Sequence, residues 1–463
     1  MAEDYRIERD SIGEVNVPRD ARWGAQTQRA VENFPISGLT FDRRFIRALG
    51  VVKQAAARAN GELGMIDPAI ATAIDEAAAE VIDGAYDDQF PVDVFQTGSG
   101  TSSNMNANEV IAHVASDRLG ADVHPNDHVN FGQSSNDVIP TAMHVAALFA
   151  LEEDVLPGLD SLSDALAAQA AAFADVVKTG RTHLQDATPV TLGQEFGGYR
   201  TQIEHGIDRV ERAKAELSPL ALGGTAVGTG LNTHEDFAGL AATHIAEITG
   251  LDVHEAPDHF EAQAAHDAMG QAHAALRTVA GSMTKIANDL RLLASGPRNG
   301  LKEITQPENQ PGSSIMPGKI NPVVAEAINQ VHVQVIGNDA AIAAGAAGGQ
   351  LELNLYKPVL AHNFLESARL IGNGSSVFAE RFVAQLEANR ERCAEQVEWS
   401  MALATALNPH IGYDKAAETA KAALAAGKPV REVAIEKGYL SPEEADEVLD
   451  PVAMTTPGIL GDE

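Results

Sequence analysis

A single cysteine, Cys393, stands among 463 residues. One thiol excludes an intrachain disulfide, a cysteine-ligated iron–sulfur cluster and a cysteine-based zinc site. Aromatic residues are only 5% of the chain, so its core must rest largely on aliphatic side chains and alanine. Basic residues are also scarce: 33 against 65 acids, for a net charge of −32, and only 11 of them are lysines. A surface of that sign repels nucleic acid and anionic lipid, so neither is expected as a partner. No apolar run reaches the ~18 residues of a membrane span. The start, Met1-Ala2-Glu3-Asp4-Tyr5-Arg6, is charged where a secretory signal is apolar. A cytoplasmic protein is expected. There is no G-x-G-x-x-G fingerprint, no P-loop and no repeat of 20–50 residues, and no cofactor or metal is expected.

The acidic excess has two readings. One is plain solubility. The other is adaptation to concentrated salt, where the Debye length shrinks to about 3 Å at 1 M and dense carboxylates stop repelling one another. The second is the expectation here.

What remains is mostly helical. Asp160 to Val177, His259 to Leu293, Ile320 to Ala344 and Asn354 to Cys393 read as long helices, the last broken near Gly372 and Gly374. These exceed the ~11–12 residues of an average helix, and small, alanine-rich faces suit a closely packed bundle. Strand signals are confined to Tyr5–Val17. From about Arg392 the segments shorten, to 413–426, 430–436 and 441–449, with Asp414 and Ser441 as caps. The expected division is an N-terminal mixed, mostly helical domain at 1–135, a central long-helix bundle at 136–391 and a small C-terminal helical domain at 392–463.

Four polar segments interrupt this plain chain. In Thr97-Gly98-Ser99-Gly100-Thr101-Ser102-Ser103-Asn104, two glycines and five hydroxyls precede a helix expected from about Asn106. Free N–H groups and hydroxyls at a helix start make an anion site, though an ordinary cap needs the same residues. Gly132-Gln133-Ser134-Ser135-Asn136-Asp137 leads into a helix expected at 141–156, with Pro140 tolerated in its first turn. Upstream, His124 and His128 are four apart, but Pro125 interrupts the helix that would align them on a metal. The third segment, Thr179–Pro189, reads as a loop between helices and sets His183 among Arg181, Thr182, Gln185 and Asp186. A histidine titrates near neutrality and suits proton transfer, though a lone loop histidine is often structural. The fourth, Pro311-Gly312-Ser313-Ser314-Ile315-Met316-Pro317-Gly318-Lys319-Ile320-Asn321-Pro322, is a small, polar loop with glycines that let it move over a ligand. It holds one of the few lysines, fitting an anionic substrate. Asn321 and Pro322 read as N-cap and first helical residue, and Glu326 follows just inside.

Together these segments resemble the fumarase/aspartase superfamily. The run Gly312–Pro322 is similar to its signature loop, and the other three segments stand in its order and at about its spacing. Within the superfamily the chain is most similar to class II fumarases. His183 stands where aspartases usually have glutamine, and Gly318 where they have alanine. Argininosuccinate and adenylosuccinate lyases lack these forms of 97–104 and 133–137. The alternatives weighed are an aspartase-like ammonia-lyase and a non-catalytic structural protein, whose mark would be a broken catalytic set. Ser313, His183, Lys319 and Glu326 are all present.

The resemblance implies a mainly α, three-domain fumarase/aspartase-like fold. It implies a homotetramer cored by the long-helix bundle, with each site built from three chains. It implies metal-free, reversible hydration of fumarate to (S)-malate. Ser313 would take the C3 proton, and His183, paired with Glu326, would protonate the departing hydroxyl. Lys319 and Asn321 would bind carboxylate. Ser99, Gly100, Thr101, Ser134, Ser135, Asn136, Thr182 and Ser314 would complete the dicarboxylate pocket. A second anion site maps to His124, Pro125, Asn126 and Asp127, just downstream of Ala121 and Asp122, where the family often has basic residues.

Overall fold

The computed structural model describes residues 5–461; the expected charged start at 1–4 lies outside them. The described chain is dominated by helices. It forms two compact units, each assembled from three stretches. One holds 1–157, 207–280 and 331–373; the other holds 158–206, 281–330 and 374–463.

In the first unit, the helix Arg43–Glu62 packs against helices Pro68–Asp83, Ser135–Ala150 and Phe237–Thr249. Its core is aliphatic with a few rings, among them Phe45 and Phe364, and buried alanines such as Ala55, Ala56 and Ala59 let backbones approach closely. The expected early strand signal is an antiparallel hairpin, Tyr5–Arg9 with Glu14–Pro18.

In the second unit, a second hairpin pairs Val177–Thr182 with Gln185–Thr191. This corrects the expectation of a loop there. Val177, Thr179, Thr182, Thr188, Val190 and Thr191 are β-branched and suit a pleated surface. The hairpin packs on the helix Arg390–Glu398 and the turn Met401–Leu407. Beneath its first strand, buried Lys178 lies 3.1 Å from Glu195 and 3.3 Å from buried Glu303, and Arg181 lies 2.8 Å from Glu303. Cys393 Sγ points at the Glu303 carbonyl, 3.6 Å away, and burial pushes its thiol up to about 12. Residues 397–449 share their own apolar cluster, from Val397 and Leu403 to Val448 and Leu449.

Several expected boundaries shift. The 259–293 pattern is two helices, His259–Ala264 and Asp267–Leu293. The expected 160–177 helix begins earlier, at Leu156, and gives way at Val177 to the strand. The helix Lys357–Arg381 runs unbroken through Gly372 and Gly374, since an interior glycine costs a helix only ~1 kcal/mol. The helix at 413–426 is entered from Gly412 without a side-chain cap, so Asp414 sits in its first turn instead of capping it. Ser441 does cap, in a reciprocal box with Glu444. Among the described residues no helix is long and apolar enough to cross a membrane.

Candidate active site

In the first unit, the two segments expected to bind anions lie at helix starts. Thr101–Leu119 begins five residues before its expected start, with Gly100 at its N-cap in the left-handed region at φ 79°. Glycine adopts that conformation without a Cβ penalty. A side-chain carbon at Gly98 would lie 2.0 Å from the Leu355 carbonyl oxygen, so only glycine allows this approach. The helix Ser135–Ala150 also starts early. Ser134 caps it, its hydroxyl accepting from Asn136 N at 3.2 Å while Asp137 accepts from Ser134 N at 2.9 Å. Hydroxyls from both starts meet: Ser99 Oγ is 2.8 Å from Thr101 Oγ1, which is 2.6 Å from Ser135 Oγ. Asn136 turns its amide to the Ala226 carbonyl.

Pro140 is not in the first turn; it lies inside the helix. It has no N–H for the Asn136 carbonyl four residues back. Lys357 Nζ donates there instead, at 3.0 Å. Three buried charged groups lie beneath these helix starts, and the sequence reading gave none of them a role. Burial pushes Lys357 and Lys53 down to about 7 and Asp137 up to about 6. Asp137 accepts from Ser134, Gly223 and Thr225 N–H groups; Lys53 donates to Asn130 and Gln133. The available signals were faint: Asp137 ends the second polar segment, and Lys357 is a rare lysine beside a proline.

The second unit holds His183 and Ser313, the residues expected to transfer protons. Thr182 ends one hairpin strand, and His183 with Leu184 forms the two-residue turn. Their φ values are 55° and 58°. Positive φ at both central positions is what a type I′ turn requires, and neither residue is glycine. Left-handed backbone costs an ordinary residue roughly 1–2 kcal/mol, so the turn holds an exposed imidazole in a sparsely populated conformation.

The signature loop is closed by Gly312 N donating to the Lys319 carbonyl at 2.8 Å. Within it, Ser313 Oγ accepts from Ile315 N at 3.2 Å and from Met316 N at 2.9 Å. Ser314 is exposed beside it. Asn321 does not cap the following helix, Val323–Ala346. Its Oδ1 accepts from Lys319 Nζ at 2.7 Å, and its Nδ2 donates to the Gly312 carbonyl at 2.7 Å. Lys319, Asn321 and Glu326 line one cavity of about 420 Å³ with Arg291, Lys302 and Gln306. Within the described chain no hydrogen bond joins His183 to Glu326 or to Ser313.

His124 caps the turn Pro125–Val129, its Nδ1 accepting from Asn126 N and Asp127 N. His124, Pro125 and Asn126 line a cavity of about 710 Å³ that also receives Arg6, Arg9 and Arg22. Cations distant in sequence thus stand near this turn, which lacks them just upstream. Asp127 is outside the lining, 3.4 Å from His124 Nδ1. Among the described residues no group of three or more His, Cys, Asp or Glu is placed to hold a metal.

Comparison with known proteins identifies the family. A family described as lyase matches residues 13–337, and one described as fumarase C C-terminus matches 403–456. A fumarate hydratase class II of Halobacterium salinarum is 72% identical over 99% of both chains. One of Mycobacterium tuberculosis is 56% identical over 97% of this chain and 96% of its own. A class II fumarase from Schistosoma mansoni superposes with a TM-score of 0.95 at 40% identity, over 98% of this chain and 99% of its own. The chain belongs to the class II fumarate hydratase family, with the fumarase/aspartase fold.

Proposed function

We propose that this chain catalyses the reversible hydration of fumarate to (S)-malate by acid–base chemistry, with Ser313 as base and His183 as acid. The observation that carries this reading is the Ser313 hydroxyl held by two backbone N–H groups of its own loop. A serine is a poor base because its alkoxide is high in energy. Two donors aimed at that oxygen lower the energy of the alkoxide.

In the dehydration direction Ser313, as its alkoxide, takes the C3 proton on Oγ. The electron pair passes into the neighbouring carboxylate, giving a dianionic, enolate-like group. Lys319 and Asn321 stabilise that charge. The pair then returns to form the double bond as hydroxide leaves C2, and His183 supplies its proton. Ser99, Thr101, Ser134, Ser135, Asn136, Thr182 and Ser314 bind the carboxylates together with Gly100 at the helix N-cap, and Glu326 orients His183.

Self-association into a homotetramer completes the reading. It is supported by the missing His183–Glu326 contact within a chain. It is also supported by Val333 and Ile336, which are 70% and 46% exposed on a long helix. His124, Pro125, Asn126 and Asp127 form the second anion site, and the 1–135, 136–391 and 392–463 division describes the domains. The partner is a small dicarboxylate.

Incubation with fumarate, with and without ammonium, tests the activity through the ultraviolet absorbance of the double bond. Loss of signal without ammonium is expected. Loss only with ammonium overturns the reading in favour of an ammonia-lyase.

A further inference from the structure

Lys357 breaks local rules. It opens the helix Lys357–Arg381, where the helix dipole disfavours a cation, and it is 0% exposed. Burying an ammonium is costly unless its charge is used. Such violations concentrate where function compensates for them.

Its contacts say what it is used for. The backbone N–H donates to the Gly98 carbonyl at 3.2 Å, and Nζ donates to the Asn136 carbonyl at 3.0 Å. Those carbonyls belong to the two segments whose hydroxyls meet at Ser99, Thr101 and Ser135. Pro140 keeps the Asn136 carbonyl available by withholding the helical N–H. An ammonium carries three donors, and one acceptor is found for Nζ among the described residues.

We propose that Lys357 is a positioning residue of the dicarboxylate pocket, tying the 97–101 loop to the start of the 135–150 helix and holding a positive charge beneath both. This rests on the proposed hydratase reading and deepens it.

The groups acting on Lys357 are few. Asp137, on the 135–150 helix, favours its charged form and in turn faces Lys53 of the 43–62 helix. His266, in the break before the 267–293 helix, lies close enough to feel Lys357 and His144, and burial keeps it neutral. Lys357 itself is held down to about 7 by burial. A bound dianion favours its protonated form, so binding takes up protons, and affinity falls as pH rises through that region.

Inhibition by succinate, measured against pH, tests this in Lys357→Met and Lys357→Arg beside the wild type. Lys357→Met should bind succinate about tenfold more weakly near neutrality, because the pocket loses both the tie to the Asn136 carbonyl and the charge beneath it. Its affinity should also lose the wild-type fall with pH. Lys357→Arg should recover affinity yet stay flat with pH, because arginine remains charged. A merely structural lysine would change stability without changing that slope. Succinate affinity in Lys357→Met within about twofold of wild type, with the same slope, overturns the proposal. If Lys357→Met does not fold, calorimetry of succinate binding to His183→Asn in buffers of different ionisation enthalpy decides it. Proton uptake near neutral pH is expected, and none overturns it. A wild type that neither hydrates fumarate nor binds succinate refutes the hydratase reading instead.

Discussion

Ser313 Oγ accepts the backbone N–H of Met316 at 2.9 Å, so the serine's own loop prepares its oxygen for negative charge. Ser313→Ala removes the proposed base and leaves Lys319 and Asn321 in place. Turnover of malate should fall to background, while succinate binding, followed by calorimetry, stays close to wild type. Near-wild-type turnover would take Ser313 out of the base role.

His183→Asn is a clean substitution, because asparagine tolerates the left-handed backbone that His183 adopts at φ 55°. The hairpin should fold unchanged by circular dichroism. The rate should drop by ~10²-fold or more, and the limb of the pH–rate profile that the imidazole contributes should vanish. An unaltered profile would count against proton transfer by this residue.

Glu303→Ala leaves Lys178 and Arg181 without their shared carboxylate, and both belong to the strand that leads to His183. Removing one partner of a buried ion pair costs about 3–5 kcal/mol. Denaturant unfolding should show that loss, and kcat should fall with it as the hairpin loosens. Wild-type stability would mean that the cluster supports nothing.

Lys53 and Lys357 make stability depend on pH in a definite sense. Their native values lie near 7, whereas an unfolded lysine titrates near ~10.4. Between these values the unfolded chain binds more protons than the native one, so stability rises with pH there. Lys53→Met should reduce that slope by up to ~1.4 kcal/mol per pH unit. Unfolding measured at constant salt across the interval checks it. Equal slopes in both proteins would refute it.

The net charge of −32 predicts dependence on salt. Activity and assembly should need molar salt, where screening becomes short-ranged. Sedimentation in dilute buffer should show dissociated chains. A stable, active oligomer there would leave solubility as the reading of the acidic excess.

The long helices were legible because alanine-rich periodicity is local information. So were the signature loop and the two helix-start segments, where glycine, serine and asparagine mark caps. The hairpin around His183 was not: Gly180 and Pro189 interrupt the strand pattern, and what holds Arg181 in place is Glu303, far along the chain. Lys357 was hidden for the same reason. Its partners Gly98 and Asn136 are more than two hundred positions away, and the role of Pro140 becomes visible only once the helix is known to start at Ser135.

Cys393 lies against the carbonyl of Glu303 with its thiol pushed far above the usual range. Thiolate, not thiol, attacks alkylating agents, so the native protein should ignore them. Its rate of labelling then becomes a clock. Each alkylated chain records one opening of the packing under the histidine hairpin, and the native sequence carries that reporter without any engineered label.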